Sequence, residues 1–513
     1  MKSNPLVSTK TKYLPVILIF VTLFAAGCGS DNSSPVPTST GPISENETAA
    51  AQPIPTETEI QILETPTPGD VEQSPIQTNP ENIQYQIIAE LDYYNHQVMV
   101  EEKIHLPQPA GEPLNEIILV VPPNAWINVF SIESINWEGD LPIENYILDG
   151  VRLTIPLEQP WLPGELKELI IHYKLVLPIQ NAREGYGPSP FGYTTIQTNL
   201  VDWYPMVPPY QEETGWLVHD PWIFGEYLVY PTADFDVSLE IIAGPELVVA
   251  ASSIAIQEQN KRYYLLEDGR NFVFSISPDY QVMEQDLNGV KVYGYVFPPY
   301  LVPGAAAFNT TVESLALFSE LFGSYNQSSL SMVQADFNHG MEYEGLYFQS
   351  RGFFDTYNGS VQSYLVTIAA HETAHQWWYG QVANDQALEP WLDESFCTFS
   401  ELIYYETLYP DSVNWWWATR VNYYEPFGVI NRSIYDYGEF PDQYLAYRNA
   451  TYLQGAKFLD KLRGELGEEK FSEFLREYAG KFSNKISTGE DFLSLLNSYH
   501  ALDSVIWLSD YLK

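Results

Sequence analysis

The chain has 513 residues, too many for one ordinary domain and enough for two or three. Its 67 Asp and Glu against 24 Lys and Arg give a formal net charge of −43, which excludes the clustered cations that nucleic-acid binding requires and speaks against electrostatic docking on anionic lipid. With 45% hydrophobic residues and 15% aromatics it can bury a large core, and its self-repulsion fits a soluble body working outside a cell.

The N-terminus carries Lys2, Lys10 and Lys12, then an apolar run from Tyr13 to Ala26. A short basic region and about a dozen apolar residues read as an export signal, too short for a comfortable span of about 20 residues. The run ends in Ala25-Ala26-Gly27-Cys28, which resembles a bacterial lipoprotein box, although Ala25 stands where leucine is commoner. The resemblance implies a signal over 1–27, a diacylated Cys28 as the mature N-terminus, and anchorage to the outside of a bacterial membrane. An uncleaved anchor helix is the alternative. Residues 28–82 are rich in Pro, Thr, Ser, Gln and Glu, with no Lys or Arg between Lys12 and Lys103, and read as a solvated tether. The second cysteine, Cys397, reads as a small buried hydrophobe.

From 83 to 285 short β-branched and apolar runs recur: Ile87–His105, Glu116–Val121, Val151–Ile155, Leu169–Leu177, Phe235–Ile242 and Asn271–Ser277. Turn signals such as Asp149-Gly150 and Asp268-Gly269 separate them, so an antiparallel sandwich or saddle is expected. From 286 to 513 the apolar spacing is helical, over Ala305–Phe322, Ser360–Tyr379, Leu392–Tyr409, Thr451–Leu466, Glu469–Phe482 and Asp491–Tyr499, with Gly380 expected to close the second helix. The fold class is therefore α+β, a β-rich domain followed by a mostly helical one.

The helical region contains His371-Glu372-Thr373-Ala374-His375. On a helix, residues four apart share a face, so both imidazoles can reach one ion, and neutral imidazole suits zinc. Glu372, one residue along, can serve water instead of the metal. The flanks are apolar, so these polar side chains are buried and need partners that a metal supplies. Eighteen residues, 376–393, separate His375 from Glu394, a third ligand candidate.

This HExxH, eighteen residues, then Glu pattern resembles the gluzincin zinc metallopeptidases of the aminopeptidase N and leukotriene hydrolase family. His339-Gly340-Met341-Glu342-Tyr343 is similar to the family's Gly-Ala-Met-Glu-Asn motif, and Tyr452-Leu453-Gln454-Gly455-Ala456 to its Tyr-x-Lys-Gly-Ala segment. Glu401 matches a glutamate that supports a zinc ligand. The resemblance implies a thermolysin-like catalytic domain with one zinc on His371, His375 and Glu394. Glu372 would be the general base, Tyr452 would stabilise the oxyanion, and Glu342 would bind the α-amine of a peptide. The activity implied is removal of N-terminal residues from peptides. Gly340 and Tyr343 depart from the family motif, and Gln197 is the nearest candidate for a second amine-binding group. Rival readings are a zinc endopeptidase with an open cleft, and a retired enzyme that binds ligands at a surface through aromatics such as Trp415-Trp416-Trp417.

Overall fold

The computed structural model describes residues 82–180, 189–258, 260–337, 340–440, 442–500 and 506–513. The N-terminal signal, Cys28, the tether and His339 lie outside the described residues. Among the described residues no helix is long and apolar enough to cross a membrane.

The first layer grows from β1 (Ile83–Asp92), where alternation sends Tyr85, Ile87, Ala89 and Leu91 inward and Gln86 and Glu90 outward. It pairs antiparallel with β2 (Gln97–Pro107) and parallel with β6 (Ala233–Ala243), Ile87 facing Glu102 on one side and Val237 on the other. The parallel pair departs from the wholly antiparallel expectation, because the connection from β1 to β6 is a long excursion and not a hairpin. The eight-stranded sheet is completed by β3 (Phe130–Trp137), β4 (Leu141–Pro142), β5 (Leu166–Val176), β7 (Ala255–Glu258) and β8 (Lys261–Gly269), in the order β7-β8-β6-β1-β2-β5-β3-β4. A three-stranded sheet of Leu114–Val120, Arg152–Trp161 and Ile147–Asp149 shares its core through Ile117, Leu119, Leu153 and Trp161.

The second core belongs to the C-terminal region and starts with a sheet, not a helix. The strands β9 (Gln281–Leu287), β10 (Val290–Val296), β11 (Ser329–Gln334), β12 (Met341–Tyr343) and β13 (Leu346–Gln349) run in the order β9-β10-β11-β13-β12. The β12–β13 hairpin turns through Gly345 at φ +68°, where a Cβ would stand 2.0 Å from the Ser252 carbonyl oxygen. This turn therefore rests against β-domain backbone and fixes the strand that carries Glu342.

Helices α1 (Leu301–Phe322), α2 (Tyr364–Ala374), α3 (Trp391–Leu408), α4 (Gln443–Arg448), α5 (Gly455–Leu466), α6 (Glu468–Lys481) and α7 (Gly489–Tyr499) pack around it. Ser363 caps α2 at the Val366 N–H. That helix ends at Ala374, well before Gly380: the chain turns so that the Trp378 carbonyl meets His375 Nδ1 at 3.1 Å, and local hydrogen bonding outweighs the apolar period of Trp377 and Trp378. Between α4 and α5 the chain widens into a π-helix over Asn449–Gln454, a form often found at functional sites.

Candidate active site

The last turn of α2 presents His371, its C-capping residue His375 follows four residues on, and the first turn of α3 presents Glu394 opposite them. His371 Nε2 lies 3.1 Å and His375 Nε2 3.7 Å from the same oxygen, Glu394 Oε2. One ligand atom from each residue falls within 4.8 Å of the others, the spacing three ligands of one ion require. The far side of each imidazole is fixed: His371 Nδ1 donates to Glu401 Oε1 at 2.8 Å, and His375 Nδ1 to the Trp378 carbonyl at 3.1 Å. Both Nε2 atoms are thus left as acceptors, as metal ligation needs. Burial, with His371 beside it, holds His375 far below the usual imidazole range, so it is neutral.

Glu401 is fully buried and takes four N–H groups, from His371, from Trp416 Nε1 at 2.9 Å, and from Arg420 Nε and Nη2 at 2.9 and 2.8 Å. Burial alone would raise its carboxyl, but Arg420 and these hydrogen bonds outweigh that and keep it below the ordinary value. The carboxylates facing the two histidines show the reverse. Burial pushes Glu372 up to about 8, with Glu394 and Glu226 adding to it against His371. Burial, then Asp393 and Glu226, push Glu394 well up, while Tyr452 and Arg420 oppose. Glu372 Oε2 is buried without a protein partner. Acids gathered this densely and facing the two imidazoles form a donor set that a divalent cation satisfies.

The residues singled out by sequence converge, with one exception. Tyr452 leaves the π-helix to place its hydroxyl 2.5 Å from Glu394 Oε1, and its ring stacks on His371. Glu342, on β12, accepts from Gln386 Nε2 at 3.0 Å, and the same amide nitrogen donates to Asp393 Oδ2 at 2.9 Å. Gly340 lies against Glu372: a Cβ there would stand 2.4 Å from Glu372 Oε1 and 3.2 Å from the Phe348 carbonyl oxygen, so an alanine would require the carboxylate to move. Gln197 is the exception. It is fully buried in the β-domain, donating to Ser275, Tyr280 and the Gln334 carbonyl and accepting from the Asp336 N–H, which leaves nothing for a substrate.

Its expected place beside Glu342 is filled by Glu226, whose carboxylate comes within 4.8 Å of Glu342 and Glu394. Burial raises it to about 7. Glu226 sits on a loop with no motif around it, so sequence gave no signal for it. Glu226, Glu342 and Gln386 line one cavity, walled by Trp126, Trp222, Tyr227 and Tyr230. The loop is stitched to the catalytic region by His219 on Asp385 at 2.9 Å and by Tyr435 on the Asp220 carbonyl.

Residues 306–510 match the model of the Peptidase family M1 domain. Endoplasmic reticulum aminopeptidase 2 of Homo sapiens is 30% identical over 226 residues, covering 41% of this chain and 23% of its own length. Aminopeptidase M1-B of Oryza sativa subsp. japonica is 28% identical over 225 residues, covering 41% and 25%. The chain thus spans about a quarter of the length of the curated relatives it matches. The fold is similar to that of an M1 zinc metallopeptidase from Deinococcus radiodurans, with a TM-score of 0.58 at 15% identity, covering 84% of this chain and 94% of that one. That enzyme has also been solved as a mutant bound to a Tyr-Ser-Ala substrate, and this form superposes with a TM-score of 0.56 at 15% identity, covering 82% and 92%. Residues 306–510 thus match the peptidase family M1 domain, on a chain whose fold is similar to that of an M1 zinc metallopeptidase.

Proposed function

We propose that this chain is a zinc-dependent aminopeptidase acting on peptides outside a bacterial cell, held to the membrane by lipid on Cys28. The observation that carries the activity is the pairing of an acid-lined, aromatic-walled cavity at Glu226 and Glu342 with the His371, His375 and Glu394 triad. The two carboxylates would take the substrate's α-ammonium by charge-assisted hydrogen bonds, which sets the first peptide bond at the triad. The cavity's aromatic wall supports an exopeptidase over an endopeptidase, since a chain continuing past the amine would meet Trp222 and Tyr227.

His371, His375 and Glu394 would hold zinc, which when bound supplies Lewis acidity to the scissile carbonyl and acidifies water. Glu372 accepts the proton of the attacking water and passes it to the leaving nitrogen. Tyr452 donates its phenolic hydrogen to the oxyanion as the carbonyl becomes tetrahedral. Glu401 acts on none of the reacting atoms and positions His371.

The test compares kcat/KM for one peptide with a free and with an acetylated N-terminus, in wild type and Glu342→Ala. Acetylation deletes the ammonium charge, so the blocked peptide should be the far poorer substrate of wild type. Equal rates would promote the endopeptidase. Export and anchorage rest on the apolar run ending in Ala25-Ala26-Gly27-Cys28. Mass spectrometry of membrane-extracted protein should find a lipid-modified cysteine, and an intact Met1 terminus in mature protein would sink that part.

A further inference from the structure

Glu226 reaches the amine side of the site from a segment without regular backbone, since residues 217–232 form neither helix nor strand. Its Oε2 is nonetheless buried without a protein partner among the described residues, in the cavity it lines with Glu342 and Gln386. A carboxylate held in one place on such a segment needs anchors, because irregular backbone regains conformational freedom wherever it is not fixed.

The anchors are of two kinds. From Trp222 to Gly225 they are apolar. Trp222 meets the Tyr435 ring edge-on at 5.3 Å, Phe224 stacks on Tyr447 at 5.1 Å, and a Cβ on Gly225 would stand 2.8 Å from Ile434 Cγ2. At the head of the segment the anchor is polar. His219 Nε2 donates to Asp385 Oδ2 at 2.9 Å, and each side chain is only 12% exposed. Apolar contacts tolerate sliding, whereas a largely buried hydrogen bond to a carboxylate fixes direction as well as distance.

Asp385 holds more than His219. Its other oxygen, Oδ1, accepts the N–H groups of Ala387 at 3.1 Å and Leu388 at 3.0 Å. Between Asp385 and Ala387 lies Gln386, whose amide bridges Glu342 Oε1 and Asp393 Oδ2. One carboxylate thus fixes the backbone beside Gln386 with one oxygen and the Glu226 segment with the other. Both acids of the amine site hang from it, Glu226 through His219 and Glu342 through Gln386.

We propose that His219 is a positioning residue for substrate, joined to Asp385 in a clasp that keeps Glu226 at the α-ammonium together with Glu342. This rests on the aminopeptidase reading. His219 touches no reacting atom. It therefore governs how tightly a free N-terminus binds and leaves the step at the triad unchanged.

A double-mutant cycle on Leu 4-nitroanilide tests the clasp, with zinc content and Tm measured for each variant. Wild-type turnover tests the aminopeptidase reading alone, and its absence would overturn that reading and the clasp with it. Given turnover, His219→Ala should raise KM about tenfold, the scale of one lost hydrogen bond to a charged group, with kcat within about twofold and zinc retained. His219→Gln, whose amide N–H can reach Asp385, should recover most of that loss, which a folding defect would not. Glu226→Ala should raise KM at least as far. In the Glu226→Ala background, His219→Ala should add less than about twofold, because the clasp then has no carboxylate to hold in place. A KM unmoved in either single variant, a fall in kcat at constant KM in His219→Ala, or penalties that multiply in the double variant would overturn the proposal while leaving the aminopeptidase reading intact.

Discussion

Replacing Glu401 with alanine strips the acceptor from four N–H groups, three of them on Trp416 and Arg420, both buried. A guanidinium left buried without its partner costs roughly 3–5 kcal/mol, and an unpaired indole N–H about 1–3 more. Those sums rival the whole stability of a domain, about 5–15 kcal/mol, so the alanine variant should fold poorly. The informative variant is Glu401→Gln, which keeps the shape and one acceptor but removes the charge. His371 Nδ1 then donates to an amide oxygen in place of a carboxylate, so the ligand is less basic and less firmly aimed. Zinc affinity should fall roughly 10–100-fold. Chelator competition on the folded variant reads that affinity, and urea melts in excess chelator read the loss of the Arg420 pair separately. Zinc affinity within twofold of wild type, alongside a lowered melt, would refute the argument and leave Glu401 as a partner for Arg420 alone.

Glu372→Gln keeps the volume but cannot accept a proton, so kcat should fall roughly a hundred- to ten-thousand-fold with zinc retained by elemental analysis; a near-normal kcat would assign the base elsewhere. Gly455 lets α5 lie so close to α3 that a Cβ would stand 1.9 Å from Ser395 Oγ and 3.2 Å from its Cα. Gly455→Ala should therefore lower Tm and cut kcat by shifting Tyr452 from Glu394, and unchanged turnover would show that the helices slide freely. Burial, opposed by Arg270, raises buried Glu344 to about 7, so the native state holds a proton that the unfolded chain releases near 4.5. Its contribution to stability is complete below pH 4.5 and is lost as pH rises through about 7, up to about 3 kcal/mol. The Tm of Glu344→Gln should accordingly gain on wild type between pH 5 and pH 8, and a constant difference across that range would discount the shift.

The metal triad was legible because it is local. Two histidines one turn apart and a glutamate in the first turn of the next helix need only two helices and their packing, and Glu401 lies two turns further along α3. Glu342 was legible through its motif on β12. Glu226 and Gln386 were not, because their meeting depends on long-range stitching: His219 on Asp385, Tyr435 on the Asp220 carbonyl, and Arg270 reaching the Gly380, Gln381 and Lys485 carbonyls from the β-domain. No local period records such contacts. Gln197 misled for the complementary reason, since a glutamine that closes a buried hydrogen-bond net and one that waits for substrate look alike in sequence. The early end of α2 and the π-turn before α5 were hidden by apolar spacing that continues through both.

The parallel pairing of β1 with β6 also dictates an order of events as the chain is made. β1 can meet β2 as soon as the hairpin emerges, but its other edge waits for residues 233–243, which complete the pairing from Ile83↔Ala233 to Asp92↔Ala243. Until then the inner strand of the sheet carries an open, apolar-flanked edge, the feature that invites pairing between nascent chains. Any fragment stopped short of Ala243 should therefore aggregate. A cell making this protein must deliver about half of its length before the first sheet can close.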